Sequence, residues 1–174
     1  MNRGAVFLDR DGTIIEDVGY LHAPEQVHFK QGVVAALRRI SGAGWPLIVV
    51  SNQSGVGRGL ISRQQAGAVH HRFVAALAEE RVILAGVYYC FHLPNEGCVC
   101  RKPLPGMLTR AADELGVNLS DSVMIGDKIS DMEAGMVSGC QCILISGCPG
   151  EGWLRWSTAM DMESIAEIIL GADS

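Results

Sequence analysis

The chain predicts an α/β fold, a Rossmann-like parallel sheet with helices on both faces. Three observations carry that prediction. Short runs rich in Val, Ile, Leu or Tyr recur at residues 5–9, 46–51, 86–90, 123–126 and 140–145, the length of strands rather than of helices. Between most of them lie stretches with apolar residues at three- and four-residue spacing, at 32–41, 62–81, 106–115 and 130–138, and such alternation builds parallel sheets covered by helices. Polar residues suited to chemistry follow the strands at one end only, the edge where open α/β sheets bind ligands.

The elements can be justified in order. The run Ala5-Val6-Phe7-Leu8 is apolar without a break, as a strand buried on both faces requires, and it ends on Asp9-Arg10-Asp11-Gly12-Thr13, where Gly12 permits a sharp turn. The second strand ends on Ser51-Asn52-Gln53-Ser54-Gly55, and the helix over 62–81 opens at Ser62, a good N-cap. The third strand leads through a cysteine-rich loop to Arg101-Lys102-Pro103. After the helix over 106–115, the fourth strand ends on Gly126-Asp127-Lys128, and Ser130 is expected to cap the next helix. Residues 147–157, with Gly, Pro and two Trp, read as an irregular connection. A last helix over 162–170 is expected to pack back on the sheet.

With 174 residues and 48% apolar composition, the chain suits one domain over 1–174 with a full core. No room appears between motifs for a large cap domain, so short loops must select the substrate. The net charge of −5 and the absence of a basic run argue against nucleic acid as partner. No apolar stretch approaches the roughly 20 residues that span a bilayer, and no signal peptide is recognised. A cytoplasmic monomer acting on a small molecule, with no membrane partner, is therefore expected.

Six cysteines in such a protein are better ligands or core thiols than disulfides. Cys90, His92, Cys98 and Cys100 form C-x-H-x5-C-x-C, and spacing by two lets both members of each pair point to one side of an extended backbone. A Cys3His set is that of a closed, structural zinc site. Cys140 and Cys142 share one strand face with no further ligands beside them and are expected to be core thiols.

The segments Asp9-Arg10-Asp11-Gly12-Thr13, Ser51-Asn52-Gln53, Arg101-Lys102-Pro103 and Gly126-Asp127-Lys128-Ile129-Ser130-Asp131 resemble, in order and spacing, the four motifs of haloacid dehalogenase-like phosphatases. Through Asp17-Val18-Gly19-Tyr20, Cys100-Arg101-Lys102-Pro103-Leu104-Pro105-Gly106-Met107 and Lys128, the chain is most similar to the bacterial heptose 1,7-bisphosphate 7-phosphatases of lipopolysaccharide precursor synthesis. That family has a zinc loop too. Histidinol-phosphate phosphatases share most of the pattern and are the alternative enzyme reading. A zinc-stabilised binding module without catalysis is the alternative of another kind.

The resemblance implies roles. Asp9 is the nucleophile that becomes an aspartyl phosphate, and Asp11 the acid that protonates the leaving oxygen and later activates water. Asp9, Asp127 and the Asp11 carbonyl form the magnesium site, hard oxygen ligands for a hard ion. Ser51 and Lys102 stabilise the transferring phosphoryl group. Asp17, Val18, Gly19, Tyr20, Asn52, Gln53, Ser54, Arg101 and Lys128 are the expected substrate contacts, two phosphates calling for extra cations. Asp131 either supports the metal or its lysine, or is a favourable charge at a helix start.

Overall fold

The computed structural model describes residues 4–146 and 156–171. Six parallel strands, β1 (Val6–Leu8), β2 (Leu47–Asn52), β3 (Gly86–Cys90), β4 (Val123–Gly126), β5 (Gln141–Ile145) and β6 (Ser157–Ala159), form one sheet in the order β3-β2-β1-β4-β5-β6. The connecting helices are α1 (Val33–Gly42), α2 (Ser54–Gly57), α3 (Arg63–Glu79), α4 (Gly106–Leu115), α5 (Ile129–Val137) and α6 (Met162–Gly171). The chain reverses direction across the sheet at β1, which pairs with β2 on one side and β4 on the other. That switch point is where the carboxyl ends of neighbouring strands leave a crevice.

Successive side chains of a strand point to opposite faces, and the core divides accordingly. Val6 and Leu8 pack with Leu37, Phe73 and Ile165 of α1, α3 and α6. Phe7 packs with Leu108 and Met132 of α4 and α5. Helices therefore cover both faces, as the alternation predicts.

The element boundaries shift by a residue or two, with three differences of substance. Residues 157–159 form a sixth strand beyond β5 rather than continuing an irregular connection. Ser130 does not cap α5. Its cap position is Lys128, whose backbone N–H donates to Asp131 Oδ2 at 3.0 Å. A short helical turn, α2, directly follows the second motif. Ser62, by contrast, caps α3 as expected: its hydroxyl accepts from the Gln65 N–H while the Gln65 amide accepts from the Ser62 N–H, a reciprocal box. Residues 147–155, Cys148 among them, lie outside the described residues. No helix among the described residues is long and apolar enough to cross a membrane.

Candidate active site

Asp9 follows β1 directly, its N–H donating to the Ile125 carbonyl of β4 at 3.0 Å, so the backbone at the switch point is fixed by the neighbouring strand. Its carboxylate is buried. Gly12 then turns the chain with a φ of +85°, and a Cβ there would overlap the Asp127 carboxylate. Only glycine lets the loop pass that close. Lys30 braces the turn by donating to the Gly12 carbonyl at 2.7 Å.

Lys102 comes in from beyond β3 and is buried. Its ammonium donates to the Val50 carbonyl at 2.7 Å and lies 3.0 Å from Asp9 Oδ1 and 2.6 Å from Asp131 Oδ1. Burial disfavours the charge, but Asp9 and Asp131 outweigh it and push the Lys102 pKa above its ordinary value. Asp131 is itself pushed up to about 6, by burial first and by Asp9 second, with Lys102 opposing. Its two readings from sequence are both realised, since one oxygen caps α5 and the other pairs with Lys102.

Asp127 sits at the end of β4, accepts from the Thr13 hydroxyl at 3.3 Å, and has its pKa raised chiefly by burial. Asp9, Asp127 and Asp131 each offer an oxygen within 4.8 Å of the others. The Oδ1 atoms of Asp9 and Asp131 are buried and face the Lys102 ammonium, at 3.0 and 2.6 Å. Three carboxylates against the buried Lys102 ammonium, with half-exposed Lys128 standing 3.9 Å from Asp127, leave a net negative charge when all are ionised. Clustered hard oxygens with that charge fit a divalent cation.

The other motif residues are placed as follows. Ser51, buried at the end of β2, accepts from the Gln53 amide at 3.0 Å, and the same amide donates to Asp11 Oδ2 at 2.6 Å. Asn52 donates to the Lys102 carbonyl at 2.9 Å and accepts from the Lys102 N–H at 3.1 Å, so both its amide atoms hold the main chain of the buried lysine. Ser54 starts α2. Asp17 pairs with Lys128 at 3.2 Å across the mouth of the site and accepts from the Gly19 N–H at 2.9 Å. Val18 and Tyr20 are exposed, and Tyr20 packs on the bare backbone of Gly55. Arg101 donates to the His92 carbonyl at 3.2 Å, which ties it to the cysteine loop. Beside that loop a cavity of about 680 Å³ is lined by Ser62, Arg63, Tyr89, Phe91 and His92. It does not reach Asp9, but it borders Tyr89, whose hydroxyl lies 3.5 Å from Arg10.

Arg10 is the residue sequence reasoning missed. Its guanidinium is buried and grips the Asp11 carboxylate through Nε and Nη2 at 3.0–3.2 Å. In a strand, adjacent side chains diverge. The turn at Gly12 instead folds them together, with the Ile14 and Ile15 N–H groups both donating to the Arg10 carbonyl.

Cys90, His92, Cys98 and Cys100 converge as the spacing predicts. Cys90 Sγ is 3.8 Å from Cys98 Sγ, 3.2 Å from Cys100 Sγ and 3.5 Å from His92 Nδ1, which is 3.2 Å from Cys100 Sγ. Ligands around a tetrahedral zinc stand about 3.8 Å apart for two sulfurs and about 3.6 Å for sulfur and nitrogen. The donor set and its spread fit that ion.

Known proteins resemble this chain. A family model described as HAD-hyrolase-like matches residues 99–155. The D-glycero-beta-D-manno-heptose-1,7-bisphosphate 7-phosphatase of Yersinia pestis is 39% identical over 165 residues, 87% of this chain and 88% of that protein. The enzyme of that name from Escherichia coli K12 is 40% identical over 83% of this chain and 81% of its own. The chain belongs to the HAD-like phosphatases. Among solved structures, the D,D-heptose 1,7-bisphosphate phosphatase of B. bronchiseptica, complexed with magnesium and phosphate, superimposes on this phosphatase with a TM-score of 0.86 and 30% identity, covering 97% of this chain and 99% of that one. A divalent metal is implied for this phosphatase by its family, and its carboxylate cluster offers the donors for one.

Proposed function

We propose that this phosphatase hydrolyses the 7-phosphate of D-glycero-D-manno-heptose 1,7-bisphosphate in the cytoplasm, as a single-domain monomer over residues 1–174, on the route to nucleotide-activated heptose for lipopolysaccharide. The observation that carries the reading is the convergence of buried Asp9 with Lys102, Asp127 and Asp131 at one switch point. The names of relatives at 37–43% identity support the substrate.

In this reading Asp9 attacks phosphorus, the bond from phosphorus to the sugar oxygen breaks, and Asp11 gives that oxygen its proton. Water then attacks the aspartyl phosphate, Asp11 takes the water's proton, and inorganic phosphate leaves with Asp9 restored. Lys102 and Ser51 face the charge that develops on the phosphoryl oxygens. Magnesium, held by Asp9, Asp127 and the Asp11 carbonyl, would neutralise charge between nucleophile and phosphate. Lys128, Arg101 and the Asp17 to Tyr20 segment meet the rest of the substrate, together with Ser54. Asn52 and Gln53 act through Lys102, Asp11 and Ser51. Zinc on the four loop ligands would fix the segment that carries Arg101 and Lys102 without taking part in the reaction.

The test is phosphate release with magnesium from heptose 1,7-bisphosphate and from histidinol phosphate. Asp9→Asn is expected to lower kcat by about 10⁴-fold or more with the fold retained. Much faster turnover of histidinol phosphate would overturn the substrate, and full turnover in folded Asp9→Asn would overturn the mechanism.

A further inference from the structure

We propose that Arg10, seated on Tyr89, is a positioning residue that aims the Asp11 carboxylate at the leaving oxygen. The inference rests on the reading of Asp11 as the acid and adds how that acid is held. Two nitrogens of one planar fork each reach both Asp11 oxygens at 3.0–3.2 Å, which fixes the carboxylate's rotation as well as its place. The Gln53 amide holds Oδ2 from a second direction at 2.6 Å.

Arg10 is in turn held. The Tyr89 ring lies under the guanidinium, 5.4 Å from carbon to centroid, and its hydroxyl is 3.5 Å from Nη1. His70 Nδ1 stands 3.3 Å from the same hydroxyl, with the two rings edge to face. A chain of contacts thus runs from α3 through the end of β3 to the acid. Stability gives little reason for it, because buried ion pairs are often matched or bettered by apolar residues of the same volume. Placement does give one, since a misaimed catalytic group costs rate even where binding is intact. Arg10 moves no proton itself.

Leaving-group dependence tests this. A sugar oxygen needs a proton as it departs, whereas the phenolate of para-nitrophenyl phosphate departs without one. The constant kcat/KM, measured on the magnesium-loaded full chain, covers the steps through aspartyl-phosphate formation. Arg10→Gln is expected to lower kcat/KM for heptose bisphosphate about 10²-fold, mainly in kcat, and for the aryl phosphate less than about fivefold. Tyr89→Phe should show the same selectivity at about tenfold, and Arg10→Lys should recover only part of the loss, lacking the fork. Asp11→Asn sets the full selective loss. Equal losses on both substrates, or none, in folded Arg10→Gln overturn the proposal. Should that variant fail to fold by circular dichroism, Arg10→Lys and Tyr89→Phe decide by the same criterion. Activity retained in Asp9→Asn would instead overturn the aspartyl-phosphate reading.

Discussion

Gly12 is the residue on which the carboxylate cluster turns. Its backbone lies in the left-handed region and its missing side chain leaves the space that Asp127 fills. Gly12→Ala is expected to destabilise the fold by about 1–2 kcal/mol, the cost of a Cβ in that conformation. It should also displace Asp127, weakening the binding of a divalent cation at the cluster by about tenfold or more, as calorimetric titration with magnesium would show. Asp9, Asp11, Asp127 and Lys102 were legible in the sequence because each sits just past an apolar run or its loop, and strand ends converge by topology. Arg10 was not, because alternation along a strand says that it faces away from Asp11. Asn52 and Gln53 carried the right motif but not their hydrogen-bond partners, which depend on where Lys102 and Asp11 come to rest. Asp131 was left between two roles because its cap and its ion pair use different oxygens of one carboxylate.

The loop between β3 and α4 carries both the buried lysine and the four soft ligands, and two devices hold it. One is the paired amide contact from Asn52 at the end of β2. Asn52→Ala is expected to leave the Lys102 main chain without its side-chain partners, lowering stability by about 1–3 kcal/mol and kcat about 10²-fold, measured by denaturant unfolding and steady-state kinetics. The other device is the cysteine cluster. In zinc-loaded protein, removal of the ion by a chelator should make Cys98 and Cys100, the part-exposed thiols of the cluster, reactive to iodoacetamide and lower the melting temperature, while buried Cys90 stays protected until unfolding. Cys140 and Cys142 should stay unreactive until unfolding, for burial pushes their thiols up to about 12 and about 11, so that almost no thiolate is present at neutral pH. Mass spectrometry of the labelled sites reads both outcomes. The four-ligand spacing was legible because extended backbone brings alternate residues to one side. The sixth strand was not, since Ser157-Thr158-Ala159 has neither length nor apolar character and pairs only at the sheet edge beyond β5.

The sheet assembles from parts distant in sequence, and its most charged point is its centre. Asp9, Asp127 and Asp131 repel across one crevice with only Lys102 buried among them. A divalent cation that binds the folded chain and not the unfolded one should therefore stabilise it, by about 2.7 kcal/mol at a hundredfold excess over Kd. Differential scanning calorimetry should show this rise with magnesium and its absence in Asp127→Ala. The architecture itself was legible from five strands and their intervening helices, whereas the strand order rests on which edges pair in space and was not read from the sequence. The position of β1 has one more effect. Its two neighbours lie far apart in the sequence, Val6 standing beside both Leu47 and Val123. A growing polypeptide on the ribosome must therefore carry the strand that leads into Asp9 with one side open until residue 126 has emerged, and throughout that interval the nascent chain presents an unpaired apolar edge of the kind that invites association.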